Sequence, residues 1–298
     1  MAKNLKDYKK QLKAEGVYYT DKKLAMLMRE MLTVQYDEVY DPTCGAGSLL
    51  SVFPNEIRKY GQELDPEEAE KAAQLVNSTI VTGNTLKADG FIGKRFKAIV
   101  ANPPFSIPWE QDAEDERFSV APALAPTSNA DYAFLLHILH HLDDGGQAIT
   151  LNFPGILYRG NTEGKIREWL IRQGVISKVL QVHGDYFVDT KIDTALVVFD
   201  KTAFHSSITM GFLDGESRDV PLSEIESNGF NLSPSMYIQP KKEEKPPFDE
   251  YAAEMEARHS ALARIKAEIE FSLMVSQLSG IDVKPFLLEI RNIVDSYM

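Results

Sequence analysis

Asn102, Pro103, Pro104 and Phe105 stand in a row directly after the hydrophobic run "FKAIVA". Proline after Asn102 drives that asparagine out of the helical region into an extended conformation. The two prolines fix φ and remove two backbone N–H donors. What remains is a rigid frame of carbonyl acceptors, joined by the oxygen of the Asn102 side chain. An exocyclic amino group conjugated to a ring or a carbonyl carries two N–H bonds and a delocalised lone pair. Two acceptors fit its hydrogens and can draw the nitrogen toward tetrahedral geometry, freeing the lone pair to attack. Phe105 can stack on the planar group. These residue types therefore suit activation of a planar –NH2 by position and hydrogen bonding, without a strong base. The bland reading is a proline-stiffened strand end with a core phenylalanine.

A second group lies upstream, in "YDPTCGAGSLLS". Asp41, Pro42 and Thr43 lead into Gly45 and Gly47, which let the backbone turn tightly and approach a ligand closely. The dinucleotide fingerprint wants a third glycine where this chain has Leu50, and no "GK[ST]" follows, which excludes a P-loop. Glu63 ends "GQE", where its carboxylate could accept hydrogen bonds from ribose hydroxyls. That would serve any adenosine-containing cofactor; a tight strand–helix turn with an incidental acid is the alternative. Asn84 and Thr85 end "VTGNT", and an amide there can read an adenine edge or simply cap a turn.

Elements must bring these groups together. Seven short β-rich runs, from "YDEVYDP" to "TALVVFDK", alternate with helical segments such as "DPEEAEKAAQLVN", "ADYAFLLHILHHLDD" and "EGKIREWLIRQG". Alternation of this kind predicts a mostly parallel sheet with helices on both faces. Ligands of such sheets bind at strand carboxyl ends, near the point where strand order reverses. Both groups sit at strand carboxyl ends, so one crevice could hold both. Residues 1–35 read as a helical preface carrying "YYT", 36–238 as the α/β domain, 239–248 as a polar linker and 249–298 as a helical tail. The tail spaces Met255, Leu262, Ile265, Ile269 and Leu273 at helical intervals. Residues 106–128 form an acidic loop, expected to be a lid or insertion that is mobile or partner-bound.

The 298 residues carry a net charge of −12, which does not suit a protein that holds DNA by itself. No apolar run is long enough to cross a bilayer, so no membrane is expected. The lysine-rich N-terminus lacks the apolar core of a secretory signal. A single cysteine excludes an internal disulfide framework and fits a cytoplasmic location. That residue, Cys44, has no evident base beside it and reads as a small loop residue. His137, His140 and His141 share one helix and read as helix surface rather than a metal site. Arg159, Lys165, Arg167 and Arg172 form a basic cluster that could meet phosphate or merely line a solvated helix.

With "DPTCGAG" followed by "NPPF", the chain resembles the S-adenosylmethionine-dependent methyltransferases that act on adenine N6 in DNA. It is most similar to the modification subunits of type I restriction–modification systems and related phage methylases. "GVYYTDKKLA", "GQELDPE", the block from "NADYAFLL" to "IREWLI", "KIDTALVVFDK" and "GFNLSPSMYI" match in the family's order, over roughly residues 15–240. The resemblance implies a Rossmann-like class I methyltransferase fold with a mostly parallel seven-stranded sheet and a C-terminal helical tail. It places Tyr19 and Thr20 at the methionine end of S-adenosylmethionine. It lines the methionine portion with Asp41, Pro42, Thr43, Gly45 and Gly47, puts Glu63 on the ribose, and places Asn84 with Thr85, or Asp89 if the register differs, near the adenine. Asn102 and the Pro103 carbonyl would bind the target amino group, with Pro104 and Phe105 framing a base extruded from double-stranded DNA. No metal is implied. A specificity subunit docked on the C-terminal helices, or a second copy in a homodimer, are the protein partners it leaves open.

The chain departs from the pattern in several places. Asp21 stands where the family usually has proline, and "QVHGDYF" where it has a leucine–proline turn. The long N-terminal helical domain of type I subunits and a separate target-recognition domain are not visible. Protein glutamine N5-methylation uses the same amide-activating run and remains a second reading. A non-catalytic DNA-binding subunit that keeps the fold is a third, against which the intact Asn102–Phe105 run argues.

Overall fold

The computed structural model describes residues 21–184, 193–238, 250–279, 282 and 284–296. The chain divides into two compact units between residues 240 and 241. The first is built on one sheet whose nine strands are β1 (Glu38–Asp41), β2 (Arg58–Glu63), β3 (Ser78–Thr82), β4 (Phe96–Ala101), β5 (Leu142–Asn152), β6 (Ile176–Val182), β7 (Thr194–Asp200), β8 (Ser207–Phe212) and β9 (Ser217–Pro221). Their order is β3-β2-β1-β4-β5-β7-β6-β8-β9.

All seven runs read from the sequence are strands, and the first five pair in parallel. The expected count of seven strands is corrected to nine, while five of the eight neighbouring pairs are parallel as expected. The sheet is mixed: β7 runs antiparallel to both β5 and β6, and a hairpin of β8 and β9 extends the edge beside β6. The hairpin escaped notice because β9 is "SRDVP", of which only Val220 is buried. A short, charged edge strand resists further pairing, at the cost of a weak hydrophobic signal.

Central strands are buried on both faces, which explains their near-continuous apolar runs. In β4, Ile99 and Ala101 enter one core while Ala98 and Val100 enter the other. Helix α1 (Lys22–Glu30) covers the second core with Leu24, Ala25 and Met28, at the spacing of one helix face. Asp21, the residue that departs from the family's proline, is its N-cap and accepts the Lys23 N–H at 2.7 Å. Helix α2 (Pro66–Ala72) follows β2, and α3 (Glu116–Ser119) is a single turn within the long loop. Helices α4 (Asp131–His141) and α5 (Asn161–Arg172) pack on the first core, and α6 (Leu222–Ser227) follows β9.

The second unit contains helices α7 (Glu250–Ser279) and α8 (Lys284–Ser296). Leu262, Ile265 and Leu273 of α7 are exposed. The linker expected at 239–248 lies outside the described residues.

Candidate active site

Strands β1 and β4 are parallel neighbours, with Tyr40 opposite Ile99. Their carboxyl ends therefore deliver Asp41 and Asn102 to the same side of the sheet, and β2 brings Glu63 beside them. One cavity of about 1300 Å³ opens there. It is lined by Asp41, Pro42, Thr43, Gly45, Glu63, Asn84 and Thr85 on one side, and by Asn102 and Pro104 on the other. Ligand pockets usually measure about 300–1,000 Å³, so this one has room for a cofactor and a planar group together. Gly47, Pro103 and Phe105 do not line it. The Phe105 ring instead approaches Phe153, 6.4 Å between centroids. Tyr19 and Thr20 lie outside the described residues.

The glycine loop is held by backbone bonds to carboxylates. Glu63 accepts the Gly45 N–H at 2.8 Å and the Asp65 N–H at 2.9 Å, one on each oxygen. Each carboxylate oxygen has a second lone-pair site, which leaves capacity for hydroxyl donors. Gly45 and Gly47 have φ of +52° and +85°, the left-handed region that disfavours a side chain. Thr85 Oγ1 donates to the Pro42 carbonyl at 2.5 Å and ties the third strand's end to the loop. Asn84 Oδ1 accepts the Leu86 N–H at 3.0 Å, so it caps its own turn while lining the cavity.

Asp41 accepts the Thr43 N–H at 3.0 Å. Burial pushes its carboxyl up to about 8, against the pull of that N–H. The Thr43 hydroxyl is buried and meets no hydrogen-bond partner among the described residues. Glu63, Asp65, Glu68 and Glu110 line the cavity against one lysine, Lys87, which pairs with Glu110 at 2.7 Å. A cavity so charged favours a cationic ligand. S-adenosylmethionine carries a sulfonium and an ammonium, and the unsatisfied Thr43 hydroxyl offers a further polar contact, so these residues fit that cofactor. Cys44 has packing work: a Cβ at Gly61 would come within 2.7 Å of its sulfur, and burial pushes its thiol up, away from reactivity.

The acidic loop after Phe105 is braced within itself and tied back to the rest of the unit. Trp109 Nε1 donates to the Pro126 carbonyl at 2.9 Å, and its ring meets Phe118 edge-on at 5.0 Å. Ile107, Trp109 and Gln111 line the cavity, so the loop forms a wall of the site. Sequence reading missed these three residues. The signal was present in Trp109, a tryptophan soon after the proline pair. Leu64 was also missed; it lines the cavity with 64 % of its surface exposed.

Arg117 anchors the loop. It is 4 % exposed and all five of its N–H donors are used. They reach Asp115, the Thr85 and Leu86 carbonyls at 2.7 and 3.1 Å, and His137 Nδ1 at 3.0 Å. Since Nδ1 accepts there, His137 donates from Nε2 to the Tyr40 hydroxyl at 2.9 Å. Burial holds the His137 imidazole well below its usual range, and neighbouring His141 and Arg117 add to that effect. The helix-surface reading of His137 and His141 is thus corrected, because both are fully buried. Helix α4 is buried on nearly every side, so its histidines had to enter the core and find partners. His141 meets the Lys94 carbonyl at 2.8 Å and Asp89 at 3.1 Å. Burial pushes Asp89 up, but the His141 bond and the Phe91 N–H outweigh it and leave its carboxyl below the ordinary range. Asp89 is committed to this network and does not line the cavity.

The basic cluster dissolves in the same way. Arg167 donates to the Phe230, Ile156 and Arg159 carbonyls and is buried. Arg172 pairs with Glu168 and Glu226, and Lys165 is exposed.

Strand order, glycine loop and proline pair around one acidic cavity define a methyltransferase-like α/β protein. The chain belongs to the N-6 DNA methylase family, which matches residues 4–218. It is similar to the type I restriction enzyme MpnII methylase subunit of Mycoplasma pneumoniae, 32 % identical over 240 residues, covering 70 % of this chain and 44 % of that protein. The type I restriction enzyme HindI methylase subunit of Haemophilus influenzae is 29 % identical over 205 residues, 62 % of this chain and 46 % of its own. Among solved structures, the type I restriction–modification methyltransferase subunit of Streptococcus thermophilus superposes with a TM-score of 0.66 at 25 % identity, over 73 % of this chain and 58 % of that one. The chain spans less than half the length of these two curated relatives.

Proposed function

We propose that this chain transfers a methyl group from S-adenosylmethionine to the N6 amino group of adenine in DNA. One observation carries the reading: the glycine loop and Asn102 with Pro104 line the same cavity, so donor and acceptor can meet without a relay. Asp41, Thr43, the Gly45–Gly47 turn and Glu63 would hold the cofactor, and Asn84 with Thr85 would border its adenine. The cofactor supplies a methyl already activated on sulfur. Asn102 and the Pro103 carbonyl would accept the two amino hydrogens and localise the nitrogen lone pair, while Pro104 borders the extruded base and Phe105, turned toward Phe153, would have to rotate to stack on it. The amino nitrogen gains the methyl and loses one proton to solvent. Positioning supplies much of the remaining acceleration.

Its type I relatives support a place in a restriction–modification system acting on cytoplasmic DNA. Among the described residues no helix is long and apolar enough to cross a membrane. The acidic chain and the paired arginines around α5 support a basic, sequence-reading partner. The exposed apolar side chains of α7 support docking of such a specificity subunit there.

Asn102→Ala should lower labelled-methyl transfer to adenine in duplex DNA by about 100-fold or more, since it removes a preorganised acceptor. S-adenosylmethionine should still bind in calorimetry. Unchanged transfer would remove Asn102 from the mechanism. Label entering release-factor glutamine instead of DNA would move the reading to protein methylation.

A further inference from the structure

Directly after Phe105 the backbone makes an unfavourable turn. Ser106 has φ of +52°, a left-handed conformation that a side chain disfavours. A residue far along the chain holds it there. Asp131, the first residue of α4, is 5 % exposed and accepts the Ser106 N–H on Oδ1 at 2.6 Å. Its Oδ2 accepts from Arg159 Nη1 at 3.0 Å, and Arg159 Nη2 donates to Ser106 Oγ at 3.1 Å. Arg159 also lies over the Phe153 ring, 5.1 Å from its centroid, and Phe153 is the ring that Phe105 approaches. The Asp131 carboxylate does not serve its own helix as a cap, because Ala130 holds the N-cap position without a side-chain bond. It faces the loop instead.

We infer that Asp131, braced by Arg159, is a positioning residue for methyl transfer: it locks Ser106 in the left-handed turn and so fixes the direction of the Asn102–Phe105 acceptors. The inference rests on the methyl-transfer reading above, and concerns how the chain holds its acceptor run rather than what touches the substrate. Prolines stiffen each residue of that run but do not set where the run points. A hinge at its far end does, and a misplacement of about 1 Å at a reacting group can cost two orders of magnitude in rate.

The full chain is used, with whichever specificity subunit supports the wild-type reaction. Asp131→Ala should lower the rate of adenine methylation at saturating substrates by about tenfold or more. S-adenosylmethionine affinity by calorimetry should stay within about twofold, because the contacts of the glycine loop are separate. Adding Ser106→Gly should restore the rate to within about threefold of wild type, since glycine adopts the left-handed turn unaided. A purely structural role for Asp131 would not give that rescue. The inference is overturned if cofactor affinity falls in parallel with the rate, or if the glycine restores nothing. Should the wild type methylate no adenine in DNA, the parent reading fails, and crystal structures still decide the clamp. Residue 106 leaving the left-handed region in Asp131→Ala and returning in the double variant supports it; φ unchanged in Asp131→Ala refutes it.

Discussion

The two sides of the cavity are built by different means. On the cofactor side, order comes from the backbone: two left-handed glycines, a carboxylate holding two neighbouring N–H groups, and a threonine bonded to a carbonyl. On the acceptor side, order comes from side chains of distant elements. Asp131 and Arg159 hold the turn after Phe105, and Arg117 with His137 holds the loop that closes over it. The first side is a set of separate bonds from single side chains to backbone groups, reaching across 18 and 43 residues of sequence. The other is a set of mutually dependent buried groups, and removing one leaves the rest unsatisfied.

Arg117→Met provides the harshest test of that contrast. The change leaves His137 Nδ1 and two carbonyls without their donor in a buried site, and leaves the Asp115 carboxylate only the backbone N–H of residue 117. Breaking such a network by removing one partner should cost about 3–5 kcal/mol of stability, read from urea unfolding. S-adenosylmethionine binding should weaken as well, because the Thr85 and Leu86 carbonyls belong to the cofactor wall. A loss below about 1 kcal/mol would mean the loop is held by its apolar contacts, and the contrast would fail.

The same contrast explains what could be read from the sequence. Gly45, Gly47, Asn102 and the prolines act through their own backbone, and Glu63 stands at a strand end although the Gly45 N–H it accepts is 18 residues away, so residue type and strand position announce them. The inner strands were legible for a similar reason, since burial on both faces leaves β4 and β7 as near-continuous apolar runs, while β3 at the sheet edge was announced by its β-branched residues. Arg117, Asp131 and His137 were not. Each looks ordinary in its own segment, an arginine in an acidic loop or a histidine on an apolar helix, and gains meaning only from partners brought close by folding. The histidines were misjudged because polar type suggested surface, whereas the apolar residues around them already required burial. The edge hairpin was missed because a strand paired on one side needs little hydrophobicity.

Asp41 allows a gentler test on the backbone-built side. Its carboxyl rises from 3.8 to about 8 on burial, so between those values the folded protein holds a proton that the unfolded chain has lost. Stability conferred by that proton is present at low pH and is lost as pH rises through the window. The effect is at most about 1.4 kcal/mol per pH unit for one proton. Asp41→Asn should still accept the Thr43 N–H but remove this dependence. The variant should therefore gain on wild type when unfolding is compared at about pH 5 and pH 7. Parallel stability profiles for the two proteins would show Asp41 ionised in the fold, and the site less desolvated than its burial indicates.

The smallest effects should separate the two glycines, and with them structure from binding. A Cβ at Gly47 would meet Leu75 Cδ1 at 2.7 Å, on top of the strain of its positive φ. At Gly45 a Cβ meets nothing within 4 Å, so only the strain remains, about 1 kcal/mol. Gly47→Ala should thus lower the melting temperature more than Gly45→Ala. Cofactor affinity should rank them the other way, because Gly45 lines the cavity and Gly47 does not. The empty space beside Gly45 is where a ligand would press against the loop, and a methyl group there would meet it. If instead both properties fall together, more for Gly47 than for Gly45, then the glycines serve the turn alone, and close approach of the cofactor to the backbone is no part of the site.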